Sequence, residues 1–305
     1  MDSSSGFQSS GAWALVLSSL LWGTTGTAAS FLPGAVSPLA VGASTMTLGG
    51  ALLFAVSARG SVAALRNAAS RRWLLIGAAG VFVYPLAFYT SMNLAGVAIG
   101  NVVSLGTGPV FAALIEWIVE RRRLSARWAA CTAVAIVGVV LLAVGSDRAA
   151  SGGGSEILIG IGLGVIAGLA YALYTYASSR AIGSGQSPRG VMGGMFGVGA
   201  VALLPVFLVL GAPLFQSPQT TGITLYLALG PMFLAYLLFG IGMRTLRSST
   251  ATTITFLEPV VATILAVAVV GERLAPLGWV GLALILGAVT VLATARQPRS
   301  WDQSP

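Results

Sequence analysis

Hydrophobic residues in this chain form long runs, and short segments rich in glycine, proline, serine and arginine separate one run from the next. Each run is about 20 residues long, the length that an α-helix needs to cross the hydrocarbon core of a bilayer. The pattern therefore predicts an all-α membrane protein. The ten predicted transmembrane helices are Gly11–Phe31, Ser37–Ala58, Trp73–Ala95, Ala98–Val119, Trp128–Gly145, Ile157–Ser179, Gly190–Gly211, Gly222–Met243, Thr250–Val270 and Pro276–Thr294.

The composition favours the same class. Of the 305 residues, 56% are hydrophobic and 8% are charged, and the mean hydropathy is +0.91. A soluble protein of this size could not keep so much apolar surface away from water. The formal charge of +8 comes from small arginine clusters between the runs, not from the basic stripe typical of nucleic-acid binding. We therefore expect a small-molecule substrate and the lipid bilayer as partners, no nucleic acid, and a monomer.

Residues that bind metals or form disulfides are scarce. The chain has no histidine, and its single cysteine, Cys131, lies in an apolar run. This excludes a His/Cys metal site and a disulfide framework, so no metal or other cofactor is expected. Met1–Ser10 has no positively charged region and precedes a run long enough to span, so the first helix is predicted to be retained and not cleaved as a signal peptide.

Arginine placement tests the helix count independently. With the N-terminus in the cytoplasm, 14 of the 16 basic residues fall in cytoplasmic segments and 2 fall outside. The positive-inside rule requires such a split, and one helix more or less would scramble it. Both termini are therefore predicted to be cytoplasmic. The cytoplasmic set is Arg59, Arg66, Arg71, Arg72, Arg121, Arg122, Arg123, Arg127, Arg180, Arg189, Arg244, Arg247, Arg296 and Arg299, and the external pair is Arg148 and Arg273.

The second half of the chain reads as a copy of the first. Sliding the sequence by 150 residues places Pro109 on Pro259 and Arg123 on Arg273. Chance similarity between apolar helices is the alternative, but the paired prolines and turn arginines favour a duplication. Five helices in each copy give two inverted repeats around a central cavity, as in many secondary transporters. The predicted organisation is a first repeat over 1–145, a flexible linker over 146–155 and a second repeat over 156–305.

One acidic residue lies deep within a predicted span. Glu258 stands directly before Pro259, and because a carboxyl at that depth is costly it should face the protein interior or water. Pro259 cannot donate a backbone hydrogen bond, which leaves a carbonyl one turn earlier free. Two hypotheses follow for Glu258. It either acts in transport, as a neutral acid that donates a hydrogen bond or as a proton carrier, or it bonds the freed carbonyl or a nearby threonine and holds the helix bend. Because the first half has Gly108 at the matching position, the sequence favours the second, static role.

The last predicted hairpin carries a family resemblance. Phe256-Leu257-Glu258-Pro259, Gly271-Glu272-Arg273-Leu274 and Gly278-Trp279-Val280-Gly281 resemble the second-half signature of the EamA-type transporters of the drug/metabolite transporter superfamily, and Leu21-Trp22-Gly23 resembles that family's opening motif. The resemblance implies ten transmembrane helices in two inverted repeats, a bacterial inner membrane, and export of amino acids, other small metabolites or drugs through a central cavity.

The first half departs from the family pattern. Gly108 stands where the second half has Glu258, so the two halves are chemically unequal and a symmetric proton-coupling scheme is in doubt.

Glu272 and Arg273, in the last external turn, are interpreted as a surface pair that shapes the hairpin and contributes little energy.

Helical spacing selects candidate cavity residues. Asn101, Ser104 and Gly108 form one stripe on the fourth helix, and Thr252, Thr255 and Pro259 repeat that spacing on the ninth, with Glu258 beside them. Helix packing, in which small polar residues bond across helices, is the alternative for each residue. The predicted substrate-binding residues are Trp22, Tyr84, Tyr89, Asn101, Ser104, Tyr171, Tyr174, Tyr236, Thr255 and Glu258.

The aromatic members of this set lie away from the helix ends, where the interfacial aromatic belt does not explain them. On the third helix Tyr89 and Asn93 share one face, while Tyr84 and Phe88 share roughly the opposite one. Only one of these faces lines the cavity, and the spacing leaves the choice open. Aromatic walls with few polar anchors suit amphipathic substrates that have an apolar side chain.

The predicted function is export of neutral, aromatic or apolar amino acids, or related small metabolites, by alternating access. A drug or metabolite facilitator and an uptake carrier are the alternatives. A membrane-embedded enzyme lacks paired acids or a His or Cys cluster within one span, so no catalytic residues are expected. A channel lacks a filter motif. A purely structural protein would have no need of Glu258.

The predicted topology is testable with a reporter enzyme that is active only in the periplasm. Fused after Pro305, the reporter should stay inactive, because the arginine split places this end of the chain in the cytoplasm. The matched control carries the reporter in the predicted external linker, after Ser151, and should be active. Activity of the fusion after Pro305 would overturn the orientation.

Overall fold

The structure is a computed structural model of the chain, and it describes residues 3–121, 126–145, 154–245, 254–255 and 257–294. The described chain is all-helical, without an extended strand. Most of the predicted linker, together with Thr252, Arg122, Arg123 and Arg148, lies outside the described residues.

The first part of the chain, up to residue 145, folds into helices joined by short turns. The elements are α1 (Ser3–Gly23), α2 (Thr25–Ser30), α3 (Pro38–Val56), α4 (Ala58–Arg66), α5 (Ala68–Ala95), α6 (Val97–Glu120) and α7 (Ala126–Val144). The second part, from residue 154, is again helical. Its elements are α8 (Gly154–Gly183), α9 (Pro188–Leu210), a 3₁₀ turn (Ala212–Phe215), α10 (Pro218–Leu227), a π-helical segment (Ala228–Leu234), α11 (Ala235–Thr245), α12 (Leu257–Leu265), a second π-helical segment (Ala266–Val270) and α13 (Pro276–Thr294).

The apolar helical stretches differ in whether they are long enough to cross a membrane. Six stretches within the described residues are long and apolar enough to cross a membrane, and three further apolar helical segments are shorter. The long ones are Pro38–Val56, Ala68–Ala95, Val97–Glu120, Gly154–Gly183, Pro188–Leu210 and Pro218–Ile241, and the short ones are Ala129–Leu142, Leu257–Val270 and Pro276–Ala288. An all-α membrane fold is thus shown, while the count of ten transmembrane helices stays a prediction.

Serine and proline together begin three of the helices. Ser37 accepts a hydrogen bond from the amide of Leu39 ahead of α3, and Ser187 accepts one from Gly190 ahead of α9. In each case a proline follows the serine at the first helical position, where its missing N–H costs nothing. Ser217 forms a complete capping box with Thr220, so α10 begins at Pro218, four residues before the predicted start.

Helix α4 is an element that the apolar runs did not predict. Its arginines Arg59 and Arg66 are exposed, whereas Ser61 and Ala64 on the other side are fully buried. A short helix with one basic face and one buried face contains no long apolar run, so a search for spans misses it. Asn67 then accepts hydrogen bonds from two amides of the next turn, and α5 therefore begins at Ala68, before the predicted Trp73.

The described arginines, except Arg273, gather at one end of the molecule, here called the arginine-rich end. Arg72 and Arg180 lie over the ring of Trp73, at 5.0 and 5.4 Å from its centroid, and Arg180 also lies 3.5 Å from the Glu120 carboxylate. Helix α4 packs there against the start of α9. Arg273 lies at the opposite end, here called the far end, in the turn before α13.

Small residues set the helix contacts. Helix α5 packs on α8, α3 on α9 and α7 on α13. At the α7–α13 crossing, a Cβ added to Gly138 would lie 2.8 Å from the Gly281 carbonyl oxygen, and one added to Gly281 would lie 2.5 Å from the Gly138 oxygen. The two backbones touch, which is the close approach that small residues permit in a membrane.

Four apolar clusters lie between the described helices, and two of them bear on the site. One surrounds the fully buried side chains of Met195 and Phe196 on α9. The other, here called the far-end cluster, joins residues from both parts of the chain. Its buried members are Val36, Ala40, Val41, Ala87, Phe88, Tyr89, Met92, Val97, Ala98, Ala167, Leu214, Leu227 and Ala266.

The glycine contact between α7 and α13 predicts a position-specific loss of stability. Gly281→Ala should destabilise the protein by about 1–3 kcal/mol, because the new methyl group would overlap the backbone of α7. The measurement is the thermal unfolding temperature of the detergent-purified protein. Gly287→Ala, on the same helix, is the matched control, since nothing lies within 4 Å of an added Cβ there. Equal unfolding temperatures for the two variants would contradict the packing described.

Candidate functional site

Six aromatic side chains from five helices form a connected group in the middle of the fold, here called the aromatic chamber. Its members are Trp22 (α1), Tyr84 (α5), Tyr171 and Tyr174 (α8), Phe196 (α9) and Tyr236 (α11). Successive ring centroids lie 4.9 to 6.0 Å apart. Most of these contacts are tilted or edge-to-face, the geometries that aromatic quadrupoles favour. Four of the predicted site tyrosines are thus brought together with Trp22.

Three polar side chains of the chamber have hydrogen-bond partners. The Tyr174 and Tyr236 hydroxyl groups lie 3.1 Å apart and form a hydrogen bond between α8 and α11. The indole N–H of Trp22 donates to the carbonyl of Pro231, at 2.9 Å, in the first π-helical segment. Both bonds fix ring orientation. Because Tyr171 and Tyr236 are only half-buried, the chamber keeps a polar as well as an apolar surface.

Glu258 lies beside the chamber, in the first turn of α12. It is half-buried and within electrostatic range of the phenol groups of Tyr84, Tyr171 and Tyr236. In the part of the chain that the structure describes, no protein group forms a hydrogen bond with its carboxyl. The carboxyl therefore presents a charge or a proton donor to the aromatic walls at membrane depth.

Close packing of α1 brings Glu258 into this position. A Cβ added to Gly23 would lie 2.6 Å from the Val261 side chain and 3.1 Å from the Glu258 carbonyl oxygen. The glycine of the Leu21-Trp22-Gly23 motif thus lets α12 approach α1 directly. Because Trp22 precedes Gly23 in the chain, the same contact holds the indole and the acid near each other.

Gly108, which matches Glu258 in the sequence repeat, leaves room for the ring of Tyr171. A Cβ at this position would lie 2.9 Å from Cδ1 of Tyr171. The ring of Tyr171 therefore occupies the space that a side chain on α6 would fill. In the sequence, the first half has Gly108 where the second half has Glu258. In the structure, an aromatic ring occupies the space at the first of these positions and a carboxyl occupies the second.

Asn101 and Ser104 are fully buried on α6. The Ser104 hydroxyl donates to the carbonyl of Gly100 at 2.7 Å, so its bond lies within its own helix. Both polar atoms of the Asn101 carboxamide lack a hydrogen-bond partner within the described residues. A buried amide without partners costs free energy, and in a native structure it indicates a group that a ligand or a water satisfies.

The remaining predicted site residues lie at the two margins. Tyr89 is buried in the far-end cluster, and the structure does not place it in the chamber. Tyr84, which stacks on Phe88 at 5.2 Å, is the α5 residue whose ring contacts Tyr171 and Tyr174 of the chamber. Thr255 lies one turn before Glu258 and is half-buried.

Sequence reasoning missed two aromatic residues of the site. Phe196 contacts both Tyr174 and Tyr236, and Phe239 lies 5.5 Å from Trp22. Phenylalanine carries no polar signal, and lipid-facing phenylalanines are common. The glycines around Phe196 could have identified it in the sequence. Gly193, Gly194 and Gly197 allow close backbone packing, and Phe196 is the single large ring among them.

A separate groove of about 390 Å³ lies away from Glu258, between α2, α10 and the end of the second π-helical segment. Its wall is almost entirely apolar, with Ile223, Leu265 and Val269 among its lining residues. The Tyr226 and Thr24 hydroxyl groups bond each other there at 2.6 Å.

Within the described residues, no group of three or more His, Cys, Asp or Glu side chains is placed to hold a metal ion.

Three features together are typical of small-molecule membrane transporters. They are an acid at membrane depth, an aromatic chamber between helices and an all-α membrane fold. Comparison with known protein families gives the same class. The EamA-like transporter family matches residues 9–144 and 158–294. The chain belongs to this family, and the protein is a membrane transporter.

Individual relatives agree with the family. An uncharacterized transporter of Bacillus subtilis (strain 168), YwfM, is 31% identical over 290 residues, which cover 94% of this chain and 95% of that protein. An uncharacterized transporter of Clostridium kluyveri is 26% identical over 188 residues, covering 59% of this chain and 58% of the relative. A protein of known crystal structure superposes with a TM-score of 0.63 at 23% identity, covering 93% of this chain and 96% of that one, and it shows the same fold.

The contact between Gly108 and Tyr171 predicts a variant with altered transport and normal folding. Gly108→Ala should push the Tyr171 ring into the chamber and reduce transport severalfold, since an added Cβ would lie 2.9 Å from the ring. Transport by protein reconstituted in liposomes, and the unfolding temperature, are the measurements. Gly162→Ala on α8 has open space around an added Cβ and should transport normally. Normal transport by Gly108→Ala would contradict a role for this contact.

Proposed function

We propose that the protein exports neutral amino acids with aromatic or apolar side chains, or related small metabolites, across the bacterial inner membrane by alternating access. The observation that carries the proposal is the aromatic chamber with the Glu258 carboxyl at its edge. Ring faces bind an apolar side chain, and a carboxylate binds an ammonium group. A neutral amino acid has both features.

Other groups of the site fit the same substrate class. Aromatic faces attract cations, so the rings that surround Glu258 add to the binding of an ammonium group. The unpartnered Asn101 carboxamide offers both a donor and an acceptor to a polar substrate group. A strongly acidic substrate would instead meet Glu258 and no described basic side chain in the chamber, so anionic metabolites fit less well.

The proposal includes two inverted five-helix repeats, over 1–145 and 156–305, with a linker over 146–155. Two separate matches to one family support it. Helix contacts support it as well, because α3 pairs with α9, α6 with α12 and α7 with α13, each with its counterpart in the other half. The contact of α5 with α8 likewise corresponds to that of α11 with α1. The caps at Ser37 and Ser187 are 150 positions apart, the offset at which Pro109 matches Pro259.

The arginine-rich end is assigned to the cytoplasm, together with both chain termini. The positive-inside rule supports this orientation, since Arg59, Arg72, Arg180 and Arg189 all lie at that end. The half-buried residues of the chamber and the tightly buried far-end cluster then correspond to a state that is closed toward the outside.

For Glu258 we favour a direct role in transport over a static one. The static hypothesis needs a hydrogen bond from Glu258 to a freed carbonyl or to a threonine, and within the described residues neither bond is present. The Thr263 hydroxyl donates to the Pro259 carbonyl instead, at 2.8 Å. Glu258 is thus available to the substrate or to a proton.

Counterflow of radiolabelled compounds in proteoliposomes tests the function. The wild-type protein should exchange neutral aromatic and apolar amino acids. Glu258→Gln should keep its yield and unfolding temperature, because Gln has nearly the same shape. Its apparent affinity should fall at least about tenfold, because a charge-assisted hydrogen bond to the substrate ammonium is lost.

Each other outcome leads to a different conclusion. Unchanged counterflow with loss of transport driven by a pH gradient would assign proton transfer to Glu258. Unchanged behaviour in both assays would restore the static role. If the wild-type protein moved no amino acid but moved nucleotide sugars or polyamines, the proposed substrate class would be wrong. Glu156→Gln, at the exposed start of α8, is the matched control variant and should behave like the wild type.

A further inference from the structure

Glu272 bonds a helix from the other half of the chain. Its two carboxylate oxygens accept hydrogen bonds from the backbone amides of Val97 and Ala98, the first residues of α6, with a distance of 3.0 Å for Ala98. Glu272 and Ala98 are 174 positions apart in the sequence. The contact replaces the predicted surface pair of Glu272 with Arg273, whose side chain is exposed.

The start of α6 depends on this distant carboxylate. Gly96 precedes the helix with a φ of +99° and has no side chain to cap it. A Cβ at Gly96 would lie 3.0 Å from Oε1 of Glu272, so the glycine leaves room for the carboxylate. The first amides of a helix carry partial positive charge, and an anion bound there is stabilised by both charge and hydrogen bonds.

Glu272 is held firmly in its turn. Gly271 takes the left-handed conformation, with φ +80°, at the end of the second π-helical segment. The Glu272 amide then donates to the Ala266 carbonyl at 3.0 Å, and the Ala275 amide donates to the Gly145 carbonyl at 2.9 Å. The turn therefore ties the ends of α7 and the second π-helical segment to the start of α6.

This bonded turn covers the far-end cluster. Val97 and Ala98, whose amides Glu272 binds, are buried members of that cluster, and so is Ala266, whose carbonyl binds the Glu272 amide. The cluster is tightly buried, whereas Glu258 and Tyr171 on the other side of it are half-buried. Separation of α6 from the turn would open the cluster at the far end.

We propose that Glu272 is a latch that closes the far end of the transport pathway, and that its release from the α6 amides accompanies opening toward the outside. The inference rests on the proposed alternating-access transport. Glu272 is a positioning residue, since it acts through α6 and touches no substrate. Loss of the latch shifts the population from the state closed at the far end to the state open there.

Cysteine labelling measures this shift without any substrate. In a Cys131→Ala background, one reporter is Ala40→Cys, fully buried in the far-end cluster, and the other is Ala112→Cys, half-buried on α6 four residues beyond Gly108. Each is reacted with a membrane-impermeant maleimide, applied in turn from the far-end side and from the arginine-rich side, in vesicles of known orientation. Glu272→Ala is compared with Arg273→Ala, its exposed neighbour.

Glu272→Ala should raise labelling of Ala40→Cys from the far-end side about tenfold, because two charge-assisted hydrogen bonds together exceed one tenfold step in an equilibrium constant. Labelling of Ala112→Cys from the arginine-rich side should fall at the same time. Glu272→Gln, which keeps one acceptor oxygen, should give an intermediate result, and Arg273→Ala should change neither rate.

Two outcomes would overturn the latch. One is unchanged labelling of Ala40→Cys in Glu272→Ala. The other is a rise at both reporters together, which indicates loosened structure and not a shift between two states. Because no transported compound enters this assay, failure of the latch is distinguishable from failure of the proposed substrate class.

Discussion

A bilayer provides no hydrogen-bond partners, and this constraint governs the structure. Every backbone and side-chain polar group in a span must be satisfied within the protein or by its cargo. Most are satisfied locally, as where Ser104 bonds the carbonyl of Gly100 and Thr263 that of Pro259. The few that are not stand out for that reason. Within the described residues they include the hydroxyl groups of Thr27 and Thr132, the Asn101 carboxamide on α6 and the Glu258 carboxyl at the chamber, and the proposed function uses the last two.

The constraint also explains how the halves of the protein are joined. Apolar surface alone does not drive helices together in lipid, so small residues and polar contacts specify which helices meet. Gly138 and Gly281 bring α7 and α13 into backbone contact, Gly23 admits α12 to α1, and Glu272 binds the start of α6. Each contact joins residues from different parts of the chain. The packing that forms the chamber is therefore the packing that holds the two halves.

Sequence reasoning predicted the helices well and the contacts poorly, for physical reasons. Bilayer thickness fixes the length of an apolar run, so spans are readable one at a time, whereas α4 lies outside such runs and was missed. A period of 3.6 residues identified Tyr84 and Tyr89 as facing opposite ways, but only the position of α8 decides which of them meets other aromatic rings. Glu272 was misinterpreted for the same reason, since nothing near it in the sequence marks the amides that it binds.

The pairing of Gly108 with Tyr171 limits the electrostatics of the chamber. A symmetric pair of repeats would place two carboxyls across one cavity, and like charges at close range resist joint ionisation. Here a neutral ring fills the second position, so Glu258 has no acidic counterpart there. The chamber can balance one positive charge at a time. Under the proposed function, a cargo molecule with two ammonium groups would leave one of them uncompensated in a medium of low dielectric, so the site would favour cargo with a single positive charge.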